Sequence, residues 1–213
     1  MGTKFLTIGL LITATLFILG SGCGKNNPNE PKQCQSVDYS FSVTSEFSPQ
    51  REIYNVGDTI YLNSLIPKSL INLVSNQIVD YSNSVGIGGN FNTAKMDTIN
   101  QLALEGLNNF ELISLIGTTS PKTISPNSGV NIFYAENQLG YNLKLGIKLK
   151  FKGLFYIGVT NLSSKGIIGK DCTNAGFNMT VTNTNKNLNL FQYALGYAPD
   201  ALLQKSIYCF RVQ

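Results

Sequence analysis

Chemistry in this chain has few candidate side chains to work with. Its 213 residues contain no histidine and no tryptophan. Without an imidazole there is no Ser-His-Asp or Cys-His relay, no His-ligated metal and no histidine switch near neutral pH. Six Asp, six Glu, four Cys, fourteen Lys and two Arg remain. Two carboxylates facing one bond can hydrolyse a glycoside. The twelve here are scattered, and no pair has a spacing that demands a shared site. The densest polar cluster, Asp80-Tyr81-Ser82-Asn83, reads first as a turn whose Asp and Asn bond their own backbone. The body of the chain has no Gly-x-Ser-x-Gly elbow, Ser-x-x-Lys pair, P-loop or EF-hand loop. No catalytic residue, metal or cofactor is expected.

Lysines offer a different possibility. Lys144, Lys148, Lys150 and Lys152 alternate with Leu143, Leu145, Ile147, Leu149 and Phe151. Period two with one apolar face is a strand, because a helix would scatter both sets around its circumference. A row of cations on the other face could hold lipid headgroups or acidic glycans. It better suits an exposed strand that lysines keep from pairing with other chains. Salt at about 0.15 M screens a single row of exposed charges. The net charge of +4 is too diffuse for a nucleic-acid partner, and none is expected.

The amino terminus carries an address. Lys4 precedes an uncharged, mostly apolar run over residues 5–19, and Gly20-Ser21-Gly22-Cys23 follows. A charged start, a short apolar stretch and small residues at the cut describe a secretory signal peptide. The run is shorter than the roughly 20 apolar residues of a membrane span. Leu19-Gly20-Ser21-Gly22-Cys23 resembles the lipobox of bacterial lipoproteins, with Gly20 at the position that is usually aliphatic. The resemblance implies a diacylglycerol on the Cys23 sulfur, cleavage before Cys23 and attachment to the membrane through that lipid. Gly20 and Gly22 also suit an ordinary signal peptidase, which would leave a soluble secreted protein. Residues 24–32 contain two prolines and no aliphatic or aromatic side chain, so they read as a flexible tether. No Asp follows Cys23, so the inner-membrane retention signal of enteric lipoproteins is absent. An outer-membrane destination is expected, its periplasmic or surface face left open. The expected organisation is a signal over residues 1–22, lipidated Cys23 and tether over 23–33, and a single domain over 34–213.

Cysteine parity depends on that reading. With Cys23 lipidated, Cys34, Cys172 and Cys209 remain, and one is left over. An oxidising compartment favours pairing. A Cys172–Cys209 bridge is expected, contributing about 3–4 kcal/mol on the chain-entropy model, with Cys34–Cys209 as the alternative.

The body must position whatever site exists, and it reads as strands. Val37, Tyr39, Phe41 and Val43 alternate with Asp38, Ser40, Ser42 and Thr44. Val56-Gly57-Asp58 marks a turn before a strand from Thr59 to Leu62. The run Gly86-Ile87-Gly88-Gly89 fits a strand with a bulge. Further strands are expected over residues 110–116, 130–134, 142–151, 154–159, 177–182 and 206–212. Leu188, Phe191 and Leu195 recur at helical spacing, with Asn187 to cap, Gly196 to end and Pro199 to stop the helix. Ala201 to Lys205 adds one more turn. Eight or nine short strands suggest an antiparallel β-sandwich with one short helix near the C terminus. The stretch from Phe47 through Tyr54-Asn55-Val56-Gly57-Asp58-Thr59-Ile60 resembles the opening of immunoglobulin-like modules. The closing Tyr208-Cys209-Phe210-Arg211-Val212 resembles the end of uncharacterised envelope lipoproteins. These resemblances imply a mainly β, immunoglobulin-like sandwich with insertions, and no assigned activity. Asp58-Thr59-Ile60 and Asp97-Thr98-Ile99 resemble the Asp-Thr-apolar acceptor of a bacterial envelope O-glycosylation system, which makes Thr59 and Thr98 candidate acceptors.

The polar surface is unusual in kind. Asn, Ser and Thr number 24, 18 and 16, while charged residues make up only 13% of the chain, about half the usual share. The function expected is non-enzymatic: a lipid-anchored envelope protein that binds a protein or glycan partner or plays a structural part. The rival readings are a carboxylate-based envelope glycan hydrolase and a carrier of a small apolar ligand.

Overall fold

The computed structural model describes residues 37–168 and 173–213. The signal, Cys23, Cys34, the tether and Cys172 lie outside them. The strands, in chain order, are β1 (Val37–Ser48), β2 (Ile53–Tyr54), β3 (Thr59–Pro67), β4 (Ser69–Ile71), β5 (Ile78–Asp80), β6 (Gly88–Asp97), β7 (Leu102–Glu105) and β8 (Phe110–Ile116). They continue with β9 (Thr118–Pro121), β10 (Gly129–Phe133), β11 (Ala135–Glu136), β12 (Gly140–Leu149), β13 (Gly153–Ser164), β14 (Thr173–Val181) and β15 (Ile207–Val212). Two helices, α1 (Leu188–Leu195) and α2 (Ala201–Ser206), precede β15.

The alternation read in the sequence sets the sheet's two faces. In β1, Phe41, Val43 and Phe47 are buried while Ser42, Thr44 and Glu46 are exposed. In β12, Leu143, Leu145, Ile147 and Leu149 all enter the core. Burying such side chains stabilises the fold by about 1.5–3 kcal/mol each. Phe151 differs from the expectation: β12 ends at Leu149, and the Phe151 ring is mostly exposed.

The mainly β expectation holds, and the sheet is larger than expected. Thirteen strands form one sheet along the path β11-β12-β3-β1-β14-β13-β6-β10-β9, with β15, β2, β7 and β8 attached to it and β4-β5 as a separate hairpin. Pairing is antiparallel except for β1 with β14 and β2 with β15, which are parallel. The sheet curls towards a barrel. β8, beyond β12, and β9, beyond β10, meet through the Ser114 and Thr119 hydroxyls at 3.3 Å. Aromatic contacts cross the interior, with the Phe110 ring 5.2 Å from Phe155 and the Tyr54 ring 5.5 Å from Phe210. The expected bulge sits opposite the glycines instead of among them. β13 shifts register between Thr160 and Ser163, with Asn161 left-handed. Gly89 lets this bulged strand come close, because a Cβ there would lie 2.8 Å from the Thr160 carbonyl oxygen.

The helix expectation also holds, with a different role for its first residue. Asn187 stands at the N-terminus of α1, but its side chain makes no cap hydrogen bond. Its buried side-chain amide donates instead to the carbonyls of Arg51 and Cys209. Asp200 caps α2 by accepting from the Leu202 and Leu203 amides. Leu190, Phe191, Ala194 and Leu195 of α1 pack with Met96, Leu154, Ile207 and Cys209 in a second core on the outside of the sheet.

Candidate functional site

β13 joins two rims of the domain. Its eleven steps at about 3.3 Å place Gly153 and Ser164 roughly 36 Å apart. At the Gly153 end three adjacent strands come into register. Leu154 stands opposite both Met96 of β6 and Arg211 of β15, and Phe155 opposite both Lys95 and Phe210. The ends of β6 and β15 and the connection from β12 therefore converge. They enclose an open groove of about 680 Å³, lined among others by Lys95, Asp97, Lys152, Leu154, Tyr193 and Arg211.

Each member is held by its own element. A Cβ on Gly153 would lie 3.3 Å from Lys95 Cε, so the absence of a side chain there leaves room for the lysine stem. Asp97 accepts hydrogen bonds from the Ile99 and Asn100 amides and from the Asn100 side chain. The Asn100 side chain, followed by those amides, holds its carboxyl below the usual range. Tyr193 lies on the exposed face of α1, away from the buried Phe191. Lys95, Lys152 and Arg211 take part in neither of the ion pairs among the described residues, Lys68–Glu136 and Lys148–Glu111. Three cations, one aromatic ring and a single carboxylate can hold an anion with a flat face against the ring. With one acid, the groove does not supply the two carboxyls of a glycosidase.

The four lysines read from the sequence are divided. β12 is not an edge, since β3 pairs along one side and β8 and β11 along the other. Period two identifies a strand's faces but not its neighbours, so an exposed edge strand was the wrong reading of these lysines. Lys144 lies over the Tyr61 ring at 5.6 Å, and Lys148 pairs with Glu111 at 3.3 Å. Lys150 follows the strand and lies over the Phe151 ring at 5.5 Å. Lys152 alone of the four lines the groove. Lys95 and Arg211 join it from 57 and 59 positions away, a convergence visible only in the strand register.

The other candidates fall elsewhere. Thr98 is exposed in the turn at the groove's edge, whereas Thr59 is half-buried in β3 and paired with Lys148. Asp80 accepts from the Ser82 amide and hydroxyl, the turn expected for that cluster. The Cys209 thiol is free and fully buried, and burial pushes its pKa up to about 12. Cys209 pairs with Tyr156 of β13. Cys172, the partner expected for Cys209, lies outside the described residues. Among the described residues, no three His, Cys, Asp or Glu side chains gather as a metal site. No described helix is long and apolar enough to cross a membrane. No protein-family model matches the sequence, and no curated protein matches it either.

Proposed function

We propose that this chain is a lipid-anchored protein of the bacterial cell envelope, held at the outer membrane through Cys23, whose β body binds an acidic envelope glycan without catalysis. The observation that carries the binding reading is the groove in which Lys95, Lys152 and Arg211 converge beside Tyr193. Anionic sugars present carboxylates to cations, and their rings stack on an exposed aromatic face. The anchoring reading rests on the small residues before Cys23 and on a tether with nothing to bury. A finer fold assignment, the immunoglobulin-like sandwich, belongs to the same proposal. Its support is the interior in which Phe110 beside β12 meets Phe155 and Phe210 from β13 and β15. O-glycosylation, where it occurs, is proposed at the exposed Thr98 ahead of the half-buried Thr59.

Three measurements test these statements. Radiolabelled palmitate should enter the wild-type chain and be absent from Cys23→Ala. Polygalacturonate, a carboxylated polysaccharide, should bind the full chain while neutral dextran does not. Equal binding of both polymers would remove the anionic groove from the account. Intact mass of the mature protein should show hexoses that Thr98→Ala lacks, and their absence would remove the modification.

A further inference from the structure

The other rim has a different surface. β4 and β5 form a hairpin with Ile71 opposite Ile78. Leu70 of the pair on the inner face is buried, and Val79 packs against the core. Ile71, Leu73 and Ile78 are left on the outer face, and Val74 stands at the tip. Val74 is 81% exposed and Ile78 74%. The Leu73 amide donates to the Ser40 carbonyl at 2.7 Å, which places the hairpin beside the first turns of β1. The segment before β14 lies at the same rim. The Val85 amide donates to the Gly166 carbonyl, and Ile168 follows at 69% exposure. Apolar surface gathered this way marks an interaction site more often than scattered single residues do.

We infer that this hairpin rim is a membrane-docking face, its aliphatic tip seated in the headgroup region of a lipid bilayer. The inference rests on the anchoring proposed above, and the position of the chain carries it. The described chain enters this rim at Val37, paired with Thr173. Cys23 lies fourteen positions upstream, a reach of at most about 50 Å. The tether that would carry a lipid on Cys23 therefore joins the domain at this rim and not at the Gly153 end. Exposed Lys165, whose amide donates to the Val85 carbonyl at the same rim, would be attracted by anionic headgroups.

The absence of tryptophan makes the test direct. Full chains carrying Val74→Trp or Ile99→Trp each gain a single indole, Ile99 being 89% exposed at the Gly153 rim. They are reconstituted in phosphatidylethanolamine–phosphatidylglycerol vesicles with brominated acyl chains, and intact mass reports the lipid on Cys23. The Val74→Trp emission should shift to the blue and be quenched by bromine, while Ile99→Trp should resemble indole in water. A lipidated chain whose Val74→Trp stays unquenched overturns docking and leaves the anchor in place. An unlipidated chain overturns the anchor, and quenching of Val74→Trp on added vesicles then decides docking by itself. A blue shift in native envelopes without bromine quenching would mean that a protein covers the hairpin, which also overturns the inference. Val74→Ser with Ile78→Ser should weaken vesicle binding of the Cys23→Ala chain roughly tenfold or more per side chain. Both positions are exposed, so the fold should survive.

Discussion

At the Ser164 end of β13 the exposed surface is a patch of Ile71, Leu73, Val74, Ile78 and Ile168. At the Gly153 end Ile99 and Phe151 are exposed too, but Lys95, Lys152 and Arg211 stand among them. The same strands supply both rims, and their alternating pattern builds one core. The difference lies in residues at or beyond the strand ends whose side chains the shared core does not bury. Aliphatic side chains there favour a low-dielectric partner, while cations beside an aromatic ring favour an anion in water.

The largest expected effect removes the contrast by removing what both rims share. Phe155 touches the Phe110 and Phe210 rings at the centre of the core. Phe155→Ala should cost about 3–5 kcal/mol and weaken both rims together, read as one cooperative shift in a denaturant titration. An alkaline titration should act first on the α1 side, because the core tyrosines Tyr54, Tyr134 and Tyr141, also raised by burial, start from the higher ordinary value of 10.0. The Cys209 thiol has an ordinary value of 9.0, raised to about 12 in the fold by burial. Between those values the unfolded chain loses its proton and the folded chain keeps it. Stability present below pH 9 should therefore fall across that window, by about 1.4 kcal/mol per pH unit. Cys209→Ala should flatten this slope between pH 9 and pH 10 in chemical denaturation, leaving the steeper loss above pH 10 that the buried tyrosines add. In the native protein the Cys209 thiol should resist alkylation at pH 8, reacting only after unfolding.

A smaller effect separates the rims. Asn187→Ala removes the amide that ties α1 to the Arg51 and Cys209 carbonyls. It should cost about 1–3 kcal/mol. Hydrogen exchange should quicken along α1 and β15 and stay unchanged in the β4-β5 hairpin. The smallest effect lies in the groove. Lys152→Ser with Arg211→Ser should lower polygalacturonate affinity by roughly three- to tenfold at low salt, as exposed ion pairs contribute little each. The loss should shrink as salt rises, and isothermal titration at two ionic strengths checks it.

Much of the fold was legible because alternation is a local signal. Leu143 to Leu149 declared their face of β12, and Leu188, Phe191 and Leu195 declared the buried side of α1. Gly57 and Gly196, both with positive φ, stand at the turn and helix end expected of them. The topology was not legible, because periodicity says nothing of which strands pair. β1 takes a parallel partner, β14, more than a hundred residues away. The short β4, β5, β7, β9 and β11 are too brief to show a period. Of the groove, only Lys152 was singled out from the sequence. Lys95 and Arg211 are single cations in apolar strands, and no local pattern marks them. The hairpin's aliphatic residues look like core residues until their exposure is known.

The most direct test asks whether the two rims can be occupied at once. Full-length, lipidated Val74→Trp protein on brominated vesicles is titrated with fluorescein-labelled polygalacturonate. Polymer should accumulate on the vesicles with the affinity seen for the protein in solution, while the indole stays quenched throughout. Polymer that fails to bind membrane-held protein, or that releases the quenching as it binds, would contradict a domain with lipid at one rim and an anion at the other.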